Sequence, residues 1–251
     1  RLARRRSSAS PSRRPILNGK DPIPKNGVPS ARPGERACSL DPASGQPGLG
    51  SLFVVAAPSG AGKTSLVTAL LDRQPDLRLS VSYTTRAPRP GEVDGRDYLF
   101  IGRNEFERRR EAGEFLEWAE VHDNLYATSR HWIEERIANG VDIVLEIDWQ
   151  GAVQVQHLYP DAVCIFIVPP SIEALRERLT NRGQDGADVI DQRLRAAENE
   201  LAQAYRFEYV IINQDFASAL TSLSTVVDAA RLRYSRQLAR HPEIFAGLGI
   251  R

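Results

Sequence analysis

Ser51-Leu-Phe-Val-Val-Ala56, then Ala57-Pro58-Ser59-Gly60-Ala61-Gly62-Lys63-Thr64, then residues 65–71 follow one another without a break, and this order decides the fold. The first six residues are apolar enough for a buried strand. The last stretch carries apolar residues at 66, 67, 70 and 71, the i, i+4 spacing of one helix face. Between them lies a loop suited to phosphate. Its glycines let backbone N–H groups curl around the anion, a lysine reaches the β and γ groups, and a hydroxyl ligates magnesium. Ala57 stands where the strict pattern has its first glycine, but Gly60, Gly62, Lys63 and Thr64 are where the mechanism needs them. Ala57 to Thr64, with Ser65, are therefore the expected nucleotide-binding residues, and Thr64 the expected magnesium ligand.

Lysine usage sharpens this reading. Lysine occurs at positions 20, 25 and 63 only, so beyond residue 50 every other cationic side chain apart from histidine is an arginine. A compact ammonium enters a tight phosphate cradle as a point charge, whereas a planar guanidinium cannot replace it there.

Further buried strands are expected at 141–147, 162–168 and 209–212, each followed by a helical pattern. That alternation predicts a parallel sheet with helices on both faces. Residues 82–139 differ, with short strands at 98–101 and 115–120 and helices at 104–112 and 130–139. Gly113 and Gly140 suit the helix C′ position, and Asn104 with Glu107 resembles a capping box. This stretch reads as an inserted α+β lobe.

The chain has 251 residues, 41% hydrophobic and 26% charged, an ordinary globular balance. No apolar run approaches the roughly 20 residues of a membrane span. Two cysteines, Cys38 and Cys164, in unlike surroundings exclude a disulfide framework and a thiolate metal cluster, and fit a reducing compartment. The net charge of +1 hides an asymmetry: residues 1–50 carry +7 and the remainder −6. The first segment also holds eight of the sixteen prolines, so residues 1–48 read as a solvated, disordered tail ahead of a domain over 49–251. Its Arg4-Arg5-Arg6 run could touch RNA or acidic surfaces, but nothing else in the chain suits nucleic acid. No apolar stretch follows the basic start, so export is not expected. The absence of any methionine suggests a piece of a longer product, which leaves a transit segment open.

Ser82-Tyr-Thr-Thr-Arg86-Ala-Pro-Arg89-Pro-Gly-Glu-Val-Asp-Gly-Arg-Asp-Tyr98, with the loop and Glu146-Ile-Asp148-Trp-Gln-Gly151, resembles the guanylate kinase family over nearly all of residues 51–235. The resemblance implies a P-loop kinase with a GMP-binding lobe at about 82–139 and a mobile lid at about 172–195. By themselves, Arg86, Arg89, Tyr98 and Tyr126 are two cations and two phenols suited to a dianionic phosphate. The family assigns them to the GMP phosphate. Asp94 and Asp97 could also pair with these arginines. By resemblance, Glu117 accepts from guanine N1–H and the 2-amino group, Ser82 supplies a hydroxyl, and Thr128 and Asp148 complete the contacts. Adenine presents the opposite pattern, and a site built for one edge rejects the other strongly. Leu125 and Ala127 depart from the Tyr and Gly of many relatives, and Glu146 from their aspartate.

A structural arginine on a helix usually finds a carboxylate three or four positions away. Arg176 has Glu173, and Arg195 has Asp191 and Glu198. Arg178 has none at those spacings, nor has Arg193, and Arg178 with Arg182 should repel unless an anion lies between them or the helix ends there. The resemblance places Arg178, Arg182 and Arg193 on the lid as catalytic cations with Lys63, with Gly183 and Gly186 letting the segment move. Such cations stabilise the charge spread over a transferring phosphoryl group. No general base is needed, because the acceptor phosphate, with a second pKa of about 6, is already deprotonated. His122, His131, His157 and His241 share no motif and read as structural or exposed. Glu146 and Asp148 are candidates for the outer sphere of magnesium.

The implied activity is ATP-dependent phosphorylation of GMP, and of dGMP, to the diphosphate with release of ADP, in the cytoplasm. Two alternatives are weighed against it. A P-loop kinase acting on a ribose bisphosphate would not need Glu117 with Ser82. A silent guanylate-kinase-like module binding phosphopeptides would lack the loop lysine and lid arginines. The stretch 229–251, with an apolar end at Ile244 and Phe245, is a candidate surface for a homo-oligomer. Deleting residues 1–48 is expected to leave kcat nearly unchanged in a coupled ADP-release assay; a large loss would contradict the solvated-tail reading.

Overall fold

The structure, a computed structural model, describes residues 50–250 apart from 122, 182, 184 and 185. The expectation for the tail at 1–48 therefore lies outside the described residues, as do those for Cys38, His122 and Arg182.

Nine strands are described: β1 (Leu52–Ala56), β2 (Leu77–Leu79), β3 (Tyr83–Thr84), β4 (Leu99–Phe100), β5 (Phe115–Val121), β6 (Asn124–Ser129), β7 (Asp142–Glu146), β8 (Val163–Val168) and β9 (Tyr209–Ile212). The helices are α1 (Lys63–Arg73), α2 (Arg103–Glu111), α3 (Arg130–Ala138), α4 (Trp149–Leu158), α5 (Ile172–Asn181), α6 (Ala187–Leu201), α7 (Phe216–Arg231), α8 (Tyr234–Arg240) and α9 (Pro242–Gly247). Five strands form a sheet in the order β2-β7-β1-β8-β9, every neighbouring pair parallel. The period of two along β1 divides the core. Phe53 and Val55 face one apolar layer with Leu66 and Leu70 of α1 and Leu223 and Val227 of α7. Leu52, Val54 and Ala56 face the other, with Ile133 and Ile137 of α3 and Val155 of α4. A strand buried on both faces needs such an unbroken apolar run, which is why β1, β7 and β8 stand out in the sequence.

The inserted segment builds a second sheet, β4-β3-β6-β5, around a small core of Val81, Tyr83, Leu99, Phe106, Phe115, Leu125 and Ala127. It carries two corrections. The capping box at Asn104 does not form: the cap position of α2 lies two residues earlier, at Gly102, with no side-chain cap. Strands β2, β3 and β6 were not anticipated. The β6 sequence holds one aromatic and one β-branched residue, Tyr126 and Thr128, with no unbroken apolar run, and the alternation of buried Leu125 and Ala127 about Tyr126 marks it. Gln154 of α4 fastens this sheet to the core, its side chain donating to Trp118 O at 2.7 Å and accepting from Trp118 N at 3.3 Å. The pair satisfies backbone groups of the edge strand β5.

Helices α5 and α6 pack on each other through Leu175, Leu179, Ile190, Leu194 and Ala197. Arg176 pairs with Asp191 across these helices at 2.7 Å, rather than with Glu173 on its own. At the carboxyl end, Phe245 of α9 meets Tyr234 edge to face, ring centroids 5.6 Å apart, while Ile244 and Leu248 are exposed.

One buried carboxylate joins the ends of the described chain. Asp142, 3% exposed, accepts from Ser51 N (2.7 Å), Arg231 Nε (2.7 Å) and Arg240 Nη2 (2.6 Å). Although burial opposes its charge, these donors hold its pKa below the usual carboxylate value. Removing one member of a buried charged cluster leaves the others uncompensated and costs about 3–5 kcal/mol. Asp142→Ala is expected to lower the melting temperature by roughly 6–20 °C, at about 2–4 °C per kcal/mol for a domain of this size, as thermal denaturation would read.

Candidate active site

At the carboxyl ends of β1 and β7, where ligands of open parallel sheets bind, a cleft of about 690 Å³ opens between the main sheet, the inserted lobe and α5–α6. Its floor is the loop between β1 and α1. Gly60 and Gly62 take φ values of 87° and 94°, and a Cβ on Gly62 would lie 2.5 Å from Asn213 Nδ2. Glycine is thus required there by both conformation and space. Ala57 has no positive φ and packs into the core, so the missing first glycine costs the loop nothing visible. Asn213, buried just after β9, braces the loop by donating to Ala61 O at 2.7 Å. Arg178 donates to Ala61 O at 3.3 Å and to Asn213 O at 2.7 Å. It makes no ion pair with any described residue, in keeping with its sequence neighbours, yet it is tethered to carbonyls. Helix α5 is described as far as Asn181, so the expected repulsion between Arg178 and Arg182 lies outside the described residues.

Lys63 opens α1 and donates to Ile147 O at 2.7 Å, which binds the loop to the end of β7. Thr64 Oγ1 donates to Glu146 Oε1, so a hydroxyl and a carboxylate stand together at the loop mouth. Among the described residues no cluster of three or more His, Cys, Asp or Glu side chains could hold a metal. This donor set fits Mg²⁺, which takes one or two protein oxygens and fills its octahedron with phosphate and water.

Glu117 of β5 is 3% exposed and lines the cleft from the lobe side. A register shift between Phe115 and Glu117 sets it opposite Thr128 of β6, whose hydroxyl donates to Glu117 Oε1 at 2.6 Å. A Cβ on Gly151 would lie 2.3 Å from Glu117 Oε2, so α4 approaches the carboxylate closely only because that residue is glycine. Burial pushes the Glu117 carboxyl up to about 8, against the Thr128 hydrogen bond and with the Asp148 charge adding to the rise. Asp148 caps α4 by accepting from Gly151 N at 2.8 Å, and its Oδ2 is buried without a hydrogen-bond partner.

Ser82, Arg89, Tyr98, Tyr126 and Asp148 all reach the cleft wall, as do Arg178 and Arg193. Three expected residues stand behind it. Ala61 is buried beneath the loop, Thr128 acts through Glu117, and Arg86 lies against the Tyr98 ring, its Cζ 5.3 Å from the centroid. Arg86 is paired with Glu92 at 2.8 Å rather than with Asp94 or Asp97. Asp97 pairs with Arg96 instead, and Asp94 accepts from Phe100 N. Burial, with the Glu146 charge, raises Tyr98 to about 12, so it remains a donor at neutral pH. Sequence reasoning missed Glu92, Asn213 and Glu200, the last being a cleft-lining residue of α6. An acidic residue six positions after Arg86 was the available signal for the first.

The family model for guanylate kinase matches residues 50–230. The chain belongs to the guanylate kinase family. A guanylate kinase of Ralstonia nicotianae is 61% identical over 201 residues, covering 80% of this chain and 91% of that protein. One from Bordetella pertussis is 58% identical over the same length, covering 80% and 94%. The crystal structure of guanylate kinase from Anaplasma phagocytophilum matches with a TM-score of 0.67 at 33% identity, covering 80% of this chain and 97% of that one. Within this guanylate kinase frame, Leu125 and Ala127 turn into the core of the lobe, while Tyr126 between them faces the cleft.

The folded protein keeps a proton on Glu117 up to about pH 8, whereas an unfolded glutamate releases it near 4.3. The folded state therefore binds more protons between those values, and its stability falls as pH rises through them. Glu117→Gln, which cannot ionise, is expected to melt above the parent by several degrees at pH 9 and level with it at pH 4.5. A gap independent of pH in thermal denaturation would contradict this.

Proposed function

We propose that the cleft holds ATP and GMP end to end, with the phosphates of ATP on residues 57–65 and Lys63 at the β and γ groups. Arg89, Tyr98 and Tyr126, with Arg86 behind them, take the GMP phosphate. Glu117, neutral in the empty cleft, gives up its proton to solvent as guanine N1–H and the 2-amino group reach it and, supported by Thr128, accepts from both, while Ser82 and Asp148 complete the purine contacts. The chain is an ATP-dependent GMP kinase: an oxygen of the GMP phosphate bonds to the γ phosphorus while the bond to ADP breaks.

The observation that carries the residue assignment is one buried carboxylate, Glu117, in the same cleft as the Lys63 loop. Among the described residues no group donates to its Oε2, and guanine supplies N–H groups to it while adenine does not. Arg178 and Arg193 stabilise the transferring phosphoryl group, and Arg182 is assigned with them from its place in the sequence. Closure of 172–195 excludes water. Mg²⁺ would be held by Thr64, with Glu146 and Asp148 in its outer sphere, and when bound it neutralises charge on the β and γ phosphates. dGMP is read as a second acceptor, the cytoplasm as the setting, and the exposed Ile244 and Leu248 as a self-association surface. Among the described residues no helix is long and apolar enough to cross a membrane.

A coupled ADP-release assay over GMP, dGMP, AMP, UMP and CMP tests the reading. GMP and dGMP should be the accepted substrates. Glu117→Ala should raise KM for GMP by tenfold or more while leaving KM for ATP within about twofold; equal effects on both would remove the guanine assignment. Lys63→Met should abolish turnover with an unchanged circular dichroism spectrum.

A further inference from the structure

Gly151, in the first turn of α4, has no backbone reason to be glycine. It lies inside the helix and takes no positive φ, unlike Gly60 and Gly62. Alanine is the more favourable residue in a helix, because glycine loses more backbone freedom on folding. What excludes alanine is one side chain. A Cβ built on Gly151 would run into Glu117 Oε2 and stand 3.0 Å from Glu117 Cδ, while its next neighbour, Ile147 Cδ1, is an ordinary 3.4 Å away.

With a side chain at position 151, either the helix or the carboxyl would have to yield, and the helix is the fixed member. Asp148 Oδ1 accepts from Gly151 N at 2.8 Å, and Ala152 and Val155 are buried in the main core. Gln154, three residues on and so on the same face as Gly151, is bonded to both backbone groups of Trp118, the residue next to Glu117. Helix and strand are thus clamped beside the residue whose carboxyl fills the space over Gly151. At its other oxygen the carboxyl is held by Thr128, whose hydroxyl donates to Oε1 at 2.6 Å. Glu117 therefore sits in a slot, with a hydroxyl at one oxygen and a bare Cα at the other, and a side chain at 151 would push it out. Gly151 itself is buried and does not line the cleft. We propose that Gly151 is a positioning residue for the acceptor base: its missing side chain, standing against helix preference, sets where Glu117 presents its oxygens and so how tightly guanine is held. This rests on the GMP reading and deepens it, because selection of the base then depends on a residue of the core helix acting only through Glu117.

Steady-state kinetics and thermal denaturation of the full chain, Gly151→Ala, Glu117→Ala and the double variant test this. Misplacing a positioned group by about 1 Å costs up to roughly 100-fold, so Gly151→Ala is expected to raise KM for GMP by about tenfold or more, with KM for ATP within about twofold. Its melting temperature should lie above the parent's or no more than about 4 °C below it, since helix preference offsets the weakened Thr128 bond. A poorer site in a domain no less stable is a result that a purely structural glycine would not give. In the Glu117→Ala background, where no carboxyl is left to displace, adding Gly151→Ala should change KM for GMP by less than about twofold. The proposal is overturned by an unchanged KM for GMP in Gly151→Ala, by an equal rise in KM for ATP, or by the same rise whether or not Glu117 is present. A larger fall in melting temperature overturns it too, for the glycine would then serve packing. If Glu117→Ala leaves KM for GMP unchanged, the guanine assignment fails and this proposal with it; if that variant raises KM and Gly151→Ala does not, only this proposal fails.

Discussion

A single ammonium group, that of Lys63, faces the carboxylates of the cleft, and the 2.7 Å bond from it to Ile147 O depends on the whole core. That bond exists because β1 and β7 run parallel and in register, so that the loop leaving one strand and the carbonyl leaving the other meet at the same edge. Pro58, Gly60 and Gly62 shape the loop, Asn213 and Arg178 brace it from behind, and α1 begins directly on the lysine. Glu117, Asp148 and Glu200 feel this one positive charge, and each carries a carboxyl raised by burial.

The second sheet converts that edge into a two-sided site. Its attachment is narrow and specific. Gln154 binds the backbone of Trp118, and Gly151 lets α4 come within reach of the Glu117 carboxylate. The same short helix is capped by Asp148, so one element sets the lobe's edge strand, the buried acid and the orphaned Asp148 Oδ2. On the proposed reading, recognition of the base and attachment of the lobe are a single packing problem.

Local features were legible in the sequence. The strand, loop and helix at 51–71 announce themselves because apolar run, glycines and lysine are contiguous, and β7 to β9 because strands buried on both faces must be apolar throughout. The resemblance carried Glu117, Ser82 and the two tyrosines, which no spacing rule would have joined. What escaped reading depends on distant partners. Arg176 pairs with a helix fifteen residues on, and Arg178 is spoken for by two carbonyls rather than a carboxylate. Strand β6 is defined by pairing with β3 and β5, not by its own propensity. Asn213 and Glu200 enter the site only because β9 and α6 fold back over the loop, which nothing in their own neighbourhoods foretells.

The cluster at Asp142 has a further meaning for how the chain is made. Its carboxylate is fixed in β7, yet its partner Arg231 closes α7 and Arg240 lies ten residues past the stretch matched by the family model. While the chain leaves the ribosome, the sheet can assemble around β7 long before those guanidinium groups emerge, and until then a charge sits buried without its counterions. The integrity of the sheet is thereby tied to α7 and α8, because loss of either would leave the Asp142 charge buried without one of its counterions.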